Sequence, residues 1–412
     1  MDQSDGTLLI YAPVPLYRAA DGGWLVEAQA CNGLRLWAEN FARVIVMMPL
    51  APGAPPPGWV PAAAIGPAVA RIEIAALPMA WRPDRFLRHL PATRRRIRAL
   101  IDRADYLSFA IGGLFGDWGA VACFEARRMG RRHAVWTDRV ESAVTRHMAA
   151  QPGPWRARLR ARLTHRPMAA LERAVIRGAD LGLFHGGETF AAYAPFSRNP
   201  HMVHDIHLSR ADHIAPAALK AKAAGAAEGP LRLAYVGRAD PMKGPRDWIA
   251  VLERLAAEGV DFRATWLGDG QDLAWMRARL AADGGLLAGR VDLPGFTEDR
   301  GAVLRLLRGA HLFLFCHQTP ESPRCLIEAL VSAAPILGYD GAFARDLIAG
   351  HGGGVLVPQG DVAALAGAVA ALARDRGRLA GAIRAAAADG AMFSDDEVFR
   401  HRSAIIRAHL GR

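Results

Sequence analysis

Apolar residues along this chain come in short runs, separated by segments in which they recur at helical spacing. In the second half, residues 231–236, 262–267, 290–293, 311–316, 335–337 and 354–357 read as strands. Helices are predicted between them, over 245–258, through about 282, and over about 300–308, 322–333 and 362–374. In the first of these, Trp248, Leu252 and Leu255 share one face. Strict alternation of strand and helix implies a parallel sheet covered on both faces. The first half repeats the rhythm, with strands at 8–11, 44–48, 71–75, 106–110, 133–137 and 181–185. The expectation is an α/β protein of two doubly wound domains.

Between the halves lies "AALKAKAAGAAEGP", residues 217–230, a small-residue stretch ending in Gly-Pro that reads as a linker. Length agrees, because 412 residues exceed one ordinary core. No apolar run reaches the roughly 18 residues that cross a bilayer. The N-terminus, Met-Asp-Gln-Ser-Asp, lacks the features of a secretory signal. Cys31, Cys123, Cys316 and Cys325 show no metal or disulfide spacing and suit a reducing cytoplasm.

Charge changes the picture. Net charge is +11, and residues 1–230 hold 29 basic against 19 acidic side chains, whereas 231–412 hold 22 against 21. A basic half implies an anionic partner. Residues 82–103 and "WRARLRARLTHR", 155–166, concentrate the arginines. In the latter, Trp155, Leu159 and Leu163 recur every four residues, which suits an anionic membrane surface or, equally, a solvated helix face. No aromatic stacking platform or nucleic-acid motif accompanies these runs, which argues against nucleic acid.

The chain has 51 Lys and Arg, of which only Lys220, Lys222 and Lys243 are lysines. Lys243 sits in "YVGRADPMKG", between a strand and a helix, with Arg238 five residues earlier and Gly237 at the turn. In an open parallel sheet such loops bind ligands, because helix N-termini offer unpaired N–H groups. A forked guanidinium beside a compact ammonium suits a diphosphate, although a solvated basic loop would read the same way. A second loop, "HQTPESPRCLIEALVSAAPILGYD", carries Glu321 before a predicted helix and Glu328 within it. Carboxylates near a phosphate site accept hydrogen bonds from sugar hydroxyls. Helix-dipole and surface roles are the plain alternatives.

"YVGRADPMKG", "WLGDG", "LPGF" and "ESPRCLIEALVSAAPILGYD" together resemble, in order and spacing, the C-terminal half of glycosyltransferase family 4. The resemblance spans about residues 231–358. It implies a retaining GT-B enzyme, with two Rossmann-like domains facing a central cleft, acting on a nucleotide-sugar donor (UDP- or GDP-sugar) without a required cofactor or metal. By resemblance, Arg238 and Lys243 hold the donor diphosphate, Glu321 faces the transferred sugar and Glu328 holds the ribose. Gly237, Gly268 and Gly270 line the phosphate loops, and Pro323, Arg324, Cys325 and Leu326 form the helix start. Pro294, Gly295 and Phe296 resemble the strip that meets the nucleobase. One departure stands out: six residues separate the two acids where the family usually has seven, and Ser322-Pro323 replaces the usual dipeptide.

The first half resembles the family more weakly. "DGGWLVEAQACNGLRLWA" looks like its glycine-rich loop, with Gly22 and Gly23 near the donor phosphate, or a plain surface turn. "HAVWTDRVES" places Asp138 where many members have a histidine facing the sugar. Asp138 reads equally as an N-cap of the next helix. Gly112, Gly113, His185 and Glu188 stand at other strand ends. The closing segment resembles a helix that crosses back, giving an acceptor-side domain of 1–215 plus about 392–412, a linker at 216–230 and a donor domain at 231–391. The implied acceptor is a glycan or lipid-linked hydroxyl, at the cytoplasmic face of the membrane. The rival is a nucleotide-sugar binder without turnover. A glucan phosphorylase would need a pyridoxal-phosphate lysine, and none is left to serve.

Overall fold

The computed structural model describes residues 6–150, 155–206, 208–282, 285–319 and 322–411. They form two compact units: residues 1–207 with 395–412, and residues 208–394.

In the first unit the strands are β1 (Thr7–Tyr11), β2 (Tyr17–Arg18), β3 (Trp24–Glu27), β4 (Arg43–Leu50), β5 (Trp59–Pro61), β6 (Ile72–Pro78), β7 (Tyr106–Ala110), β8 (Ala134–Thr137), β9 (Leu181–His185) and β10 (Pro200–Val203). Seven make one parallel sheet in the order β10-β9-β8-β7-β1-β4-β6. Chain order reverses at β1, so the topological switch lies between β1 and β7. Leu9 is centred there, beside Ile45 on one side and Leu107 on the other, and all three are buried. The small antiparallel sheet β2-β3-β5 and the edge strand β10 add elements that apolar runs alone do not announce.

The helix Asp395–Leu410 belongs to this first unit. Its Phe399 packs edge-on against Trp37 at 4.9 Å, and Asn32 donates to the Asp395 carboxylate at 2.9 Å. Arg402 is buried between Trp37 and Trp136, 5.0 Å from each ring, and 3.9 Å from the Asp205 carboxylate. Burial pushes its pKa down to about 10, so it remains a cation stacked on aromatic faces.

In the second unit the strands are β11 (Leu231–Val236), β12 (Phe262–Leu267), β13 (Val291–Gly295), β14 (Leu312–Phe315), β15 (Ile336–Tyr339) and β16 (Gly354–Val357). Their order is β13-β12-β11-β14-β15-β16, again reversing at the first strand. β14 and β15 are buried at every position, as expected of central parallel strands with helices on both faces.

The stretch expected to be the linker is not one. Residues Pro216–Gly225 form a helix inside the second unit, and the units divide earlier, between 207 and 208. Alanine is the best helix former, and Pro216 at the first turn is compatible with a helix. Lys222 secures it: its Nζ donates to the carbonyls of Leu307 and Ser332 at 3.1 and 2.8 Å. Each carbonyl lies at the end of a helix, where such groups have acceptor capacity to spare, and the Leu307 carbonyl also receives the Ala310 amide at 3.3 Å.

Candidate functional site

The switch point of the second unit lies between β11 and β14, and the two loops singled out in the sequence leave those two strands at their carboxyl ends. Gly237 and Arg238 begin the first loop. Asp240 then leads into a turn of 3-10 helix at Pro241–Lys243, and the helix Pro245–Ala257 follows at once. Gly244 joins the two with φ 66°, where glycine is favoured, and no side chain caps that helix start. Arg238 is exposed and pairs with Asp240 across its own loop at 3.1 Å. Lys243 is half-buried.

The loop after β12 is sealed against this one. The amide of Gly237 donates to Leu267, that of Ala239 to Asp269, and that of Asp272 back to Ala239, at 2.8–3.0 Å. Gly268 comes so close that a Cβ there would stand 2.0 Å from the Gly237 oxygen. Gly270 lies against the backbone of Ala239. Gly237, Arg238, Lys243, Gly268 and Gly270 therefore occupy one connected pair of loops. Pro294 and Gly295 end β13 at the sheet edge, and Phe296 beyond them is 70% exposed.

After β14 the helix Arg324–Val331 starts behind Pro323, carrying Arg324, Cys325 and Leu326 in its first turn and Glu328 in its second. Glu328 is partly buried, and Arg300 reaches it at 3.5 Å while also contacting Asp212 at 3.1 Å. Burial raises the Glu328 pKa, and the Arg300 charge opposes that rise. Glu321 lies outside the described residues.

The second loop holds residues that sequence reasoning missed. His317 is buried, with Nε2 2.9 Å from the Tyr235 hydroxyl. Burial, reinforced by Lys243, holds its pKa well below the usual histidine range. Gln318 donates to Asp247 at 2.9 Å, and Tyr339 donates to the same carboxylate oxygen at 2.6 Å. Gln359 adds a bond to the His317 carbonyl at 3.1 Å. These contacts join both loops of the switch point to the start of the helix Pro245–Ala257. No local pattern marks partners this far apart in sequence.

Asp138 and the glycine pair belong to the first unit. Asp138 is exposed at the end of β8, and its carbonyl faces the Thr189 hydroxyl at 3.5 Å. The next helix begins at Glu141, behind Val140, so Asp138 is not its N-cap. Arg139 and Glu141 pair beside it at 2.6 Å. In the loop after β7, Asp117 caps the helix Trp118–Arg128 and accepts from the amides of Gly112 and Ala120 at 3.1 and 3.0 Å, and burial pushes its pKa up to about 6. Gly22 and Gly23 form the tip of the β2–β3 hairpin: Gly22 donates to Ala19, and Gly23 to the Asp21 carboxylate. A Cβ on Gly22 would touch nothing within 4 Å, so its positive φ serves the turn.

Residues 218–389 match the family model described as glycosyl transferases group 1. Anabaena HepE in complex with UDP has a similar structure, with a TM-score of 0.64 at 15% identity over 98% of this chain and 99% of that one. WaaG, a glycosyltransferase involved in lipopolysaccharide biosynthesis, gives a TM-score of 0.60 at 14% identity over 97% and 99%. The fold is GT-B. Among curated proteins, a 2-deoxystreptamine N-acetyl-D-glucosaminyltransferase of Streptomyces fradiae is 29% identical over 267 residues, 61% of this chain. The chain spans 62% of the length of that relative. The match to the group 1 model takes in the whole GT-B switch point of the second unit, from Arg238 and Lys243 to Glu328.

Proposed function

We propose that this protein is a retaining glycosyltransferase of family 4 type. It moves a sugar from a nucleotide-diphosphate sugar to a hydroxyl of a glycan or lipid-linked acceptor, in cell-surface polysaccharide or glycolipid synthesis. The observation that carries this reading is the Arg238–Lys243 loop, set at the switch point and running directly into an uncapped helix start. A departing diphosphate gathers negative charge, and two cations with a helix N-terminus stabilise it where it forms. In this reading those groups do the work without a metal ion. UDP is the favoured nucleotide, since Anabaena HepE binds UDP and UDP-glucose. Phe296 offers an exposed ring for the base, and Glu328 accepts the ribose hydroxyls. Glu321 and Asp138 act toward the sugar.

Acceptor chemistry follows the charge of the first unit. An arginine-rich surface attracts an anionic acceptor or an anionic membrane surface on the cytoplasmic side, and repels an amine-bearing one such as 2-deoxystreptamine. No described helix is long and apolar enough to cross a membrane.

A mass-detected transfer assay over UDP- and GDP-sugars, with Arg238→Gln and Lys243→Gln as controls, tests the reading. Loss of about 10²–10³-fold in turnover for each variant is expected from removal of one preorganised charge contact. Undiminished turnover in the double variant overturns it. A second reading, donor binding without turnover, is motivated by the shortened spacing between Glu321 and Glu328. Tight UDP-sugar binding with neither transfer nor hydrolysis would favour it.

A further inference from the structure

The first unit contains a groove of about 640 Å³ that the transferase reading does not use. Three helices wall it: Pro83–Asp102 gives Phe86 and Leu90, Trp118–Arg128 gives Val121 and Phe124, and Trp155–Gly178 gives Leu171. Phe86 is braced by Trp118, with ring centroids 5.1 Å apart, and Phe124 remains 37% exposed. Leu114 and Asp117 close one end, in the loop after β7 and beside the switch point of this sheet. The volume is that of a ligand pocket, and the lining is mainly apolar.

The rim is cationic. Arg94, Arg127 and Arg128 line it, and Arg98 stands next to them through a shared partner. That partner is Glu125, a carboxylate 1% exposed, bonded by Arg94 at 2.6 Å, by Arg98, and by Arg128 at 3.4 Å. Both acidic groups of the groove are already engaged, Glu125 by these arginines and Asp117 by backbone amides. Three guanidiniums share the single Glu125 carboxylate, so the rim keeps a net positive charge over an apolar trough.

We propose that this groove holds the apolar tail of a phosphate-bearing amphiphile, the lipid part of the acceptor, with the phosphate at Arg94, Arg127 and Arg128. The pairing of an apolar floor with an arginine rim matches such a molecule end to end. A second copy of the chain fits worse, because it carries the same net charge of +11 and brings a basic surface to a basic rim. The assignment rests on the transferase reading for the meaning of the ligand, while its binding test does not depend on transfer.

The test uses the full chain without donor. Calorimetry below the micelle concentration compares farnesyl phosphate, dodecyl phosphate, farnesol and inorganic phosphate, with Phe124→Ser and Arg127→Gln as surface variants. UDP affinity and a thermal melt establish that each variant is folded. The phosphorylated amphiphiles are expected to bind, and farnesol and inorganic phosphate to bind at least tenfold more weakly. Phe124→Ser is expected to weaken the amphiphiles about tenfold, the effect of exposing one aromatic contact, with UDP binding unchanged. Farnesyl phosphate binding more tightly than dodecyl phosphate assigns an isoprenoid tail, and the reverse an acyl one. Equal binding to both variants and wild type overturns the proposal. So does a concentration-dependent dimer that the variants dissociate, with no amphiphile bound. Failure of UDP to bind wild-type protein would instead count against the transferase reading alone.

Discussion

A β-carbon at position 244 would stand 2.0 Å from the carbonyl oxygen of Cys316. Gly244 follows Lys243 and opens the helix Pro245–Ala257, and Cys316 is the first residue after β14, so this close approach locks the two loops of the switch point together. Gly244→Ala meets both a left-handed φ and a backbone clash. A loss of at least ~1–3 kcal/mol is expected from the conformation alone. Chemical denaturation checks the stability. UDP affinity should fall as well, because the loop must move; wild-type affinity in this variant would separate the loop from the donor.

Glu328 sits with Arg300 at 3.5 Å, and the arginine charge favours its ionised form against burial. If that carboxylate receives ribose hydroxyls, Glu328→Gln weakens UDP binding by ~1.5–3 kcal/mol, the worth of a hydrogen bond to a charged group. It should also erase the preference for UDP over 2′-deoxy-UDP. Titration of both nucleotides against both proteins reads this directly, and an unchanged preference removes Glu328 from the ribose site.

Phe296 exposes 70% of its surface just beyond the end of β13. Phe296→Ala should leave the melting temperature within a degree or so, since little burial is lost. Stacking on a base is worth ~1–3 kcal/mol, so the UDP dissociation constant should rise about tenfold. Sugar phosphates without a base should bind no differently.

Lys222 is buried, and desolvation lowers its pKa to about 7. Between that value and the ordinary lysine range the unfolded chain holds the extra proton. Stability contributed at this site therefore rises with pH from about 7 towards 10.5 and is least below 7. Lys222→Met removes the ionisable group. The stability difference between wild type and variant, followed by denaturant titration from pH 6 to about 10, should shift towards wild type by a few kcal/mol. A flat difference would mean that the ammonium is as well solvated folded as unfolded.

β14 and β15 were legible because each is a continuous apolar run, which is what burial on both faces of a parallel sheet requires. β11, β12 and β13 were read from mostly apolar runs that each carry one charged residue, Arg232, Arg263 or Asp292. The loop of Arg238 and Lys243 was legible for a related reason: charged side chains at the end of such a run stand out against it. Three features were not. The helix Pro216–Gly225 looked like a linker, since small residues serve equally in coils and helices, and only the carbonyls of Leu307 and Ser332 decide that Lys222 is held. The Tyr235–His317 pair and the Asp247 hydrogen bonds join residues far apart in sequence, with no periodicity to announce them.

By itself, then, the sequence determined the class of fold and the cationic loop at the mouth of one sheet, because hydrophobic period and isolated charge are local properties. Tertiary structure alone decided which strands are neighbours and which glycines press on a backbone. It also decided where Glu125 gathers its arginines over an apolar groove. Those outcomes depend on contacts between distant segments, and no local pattern encodes a distance.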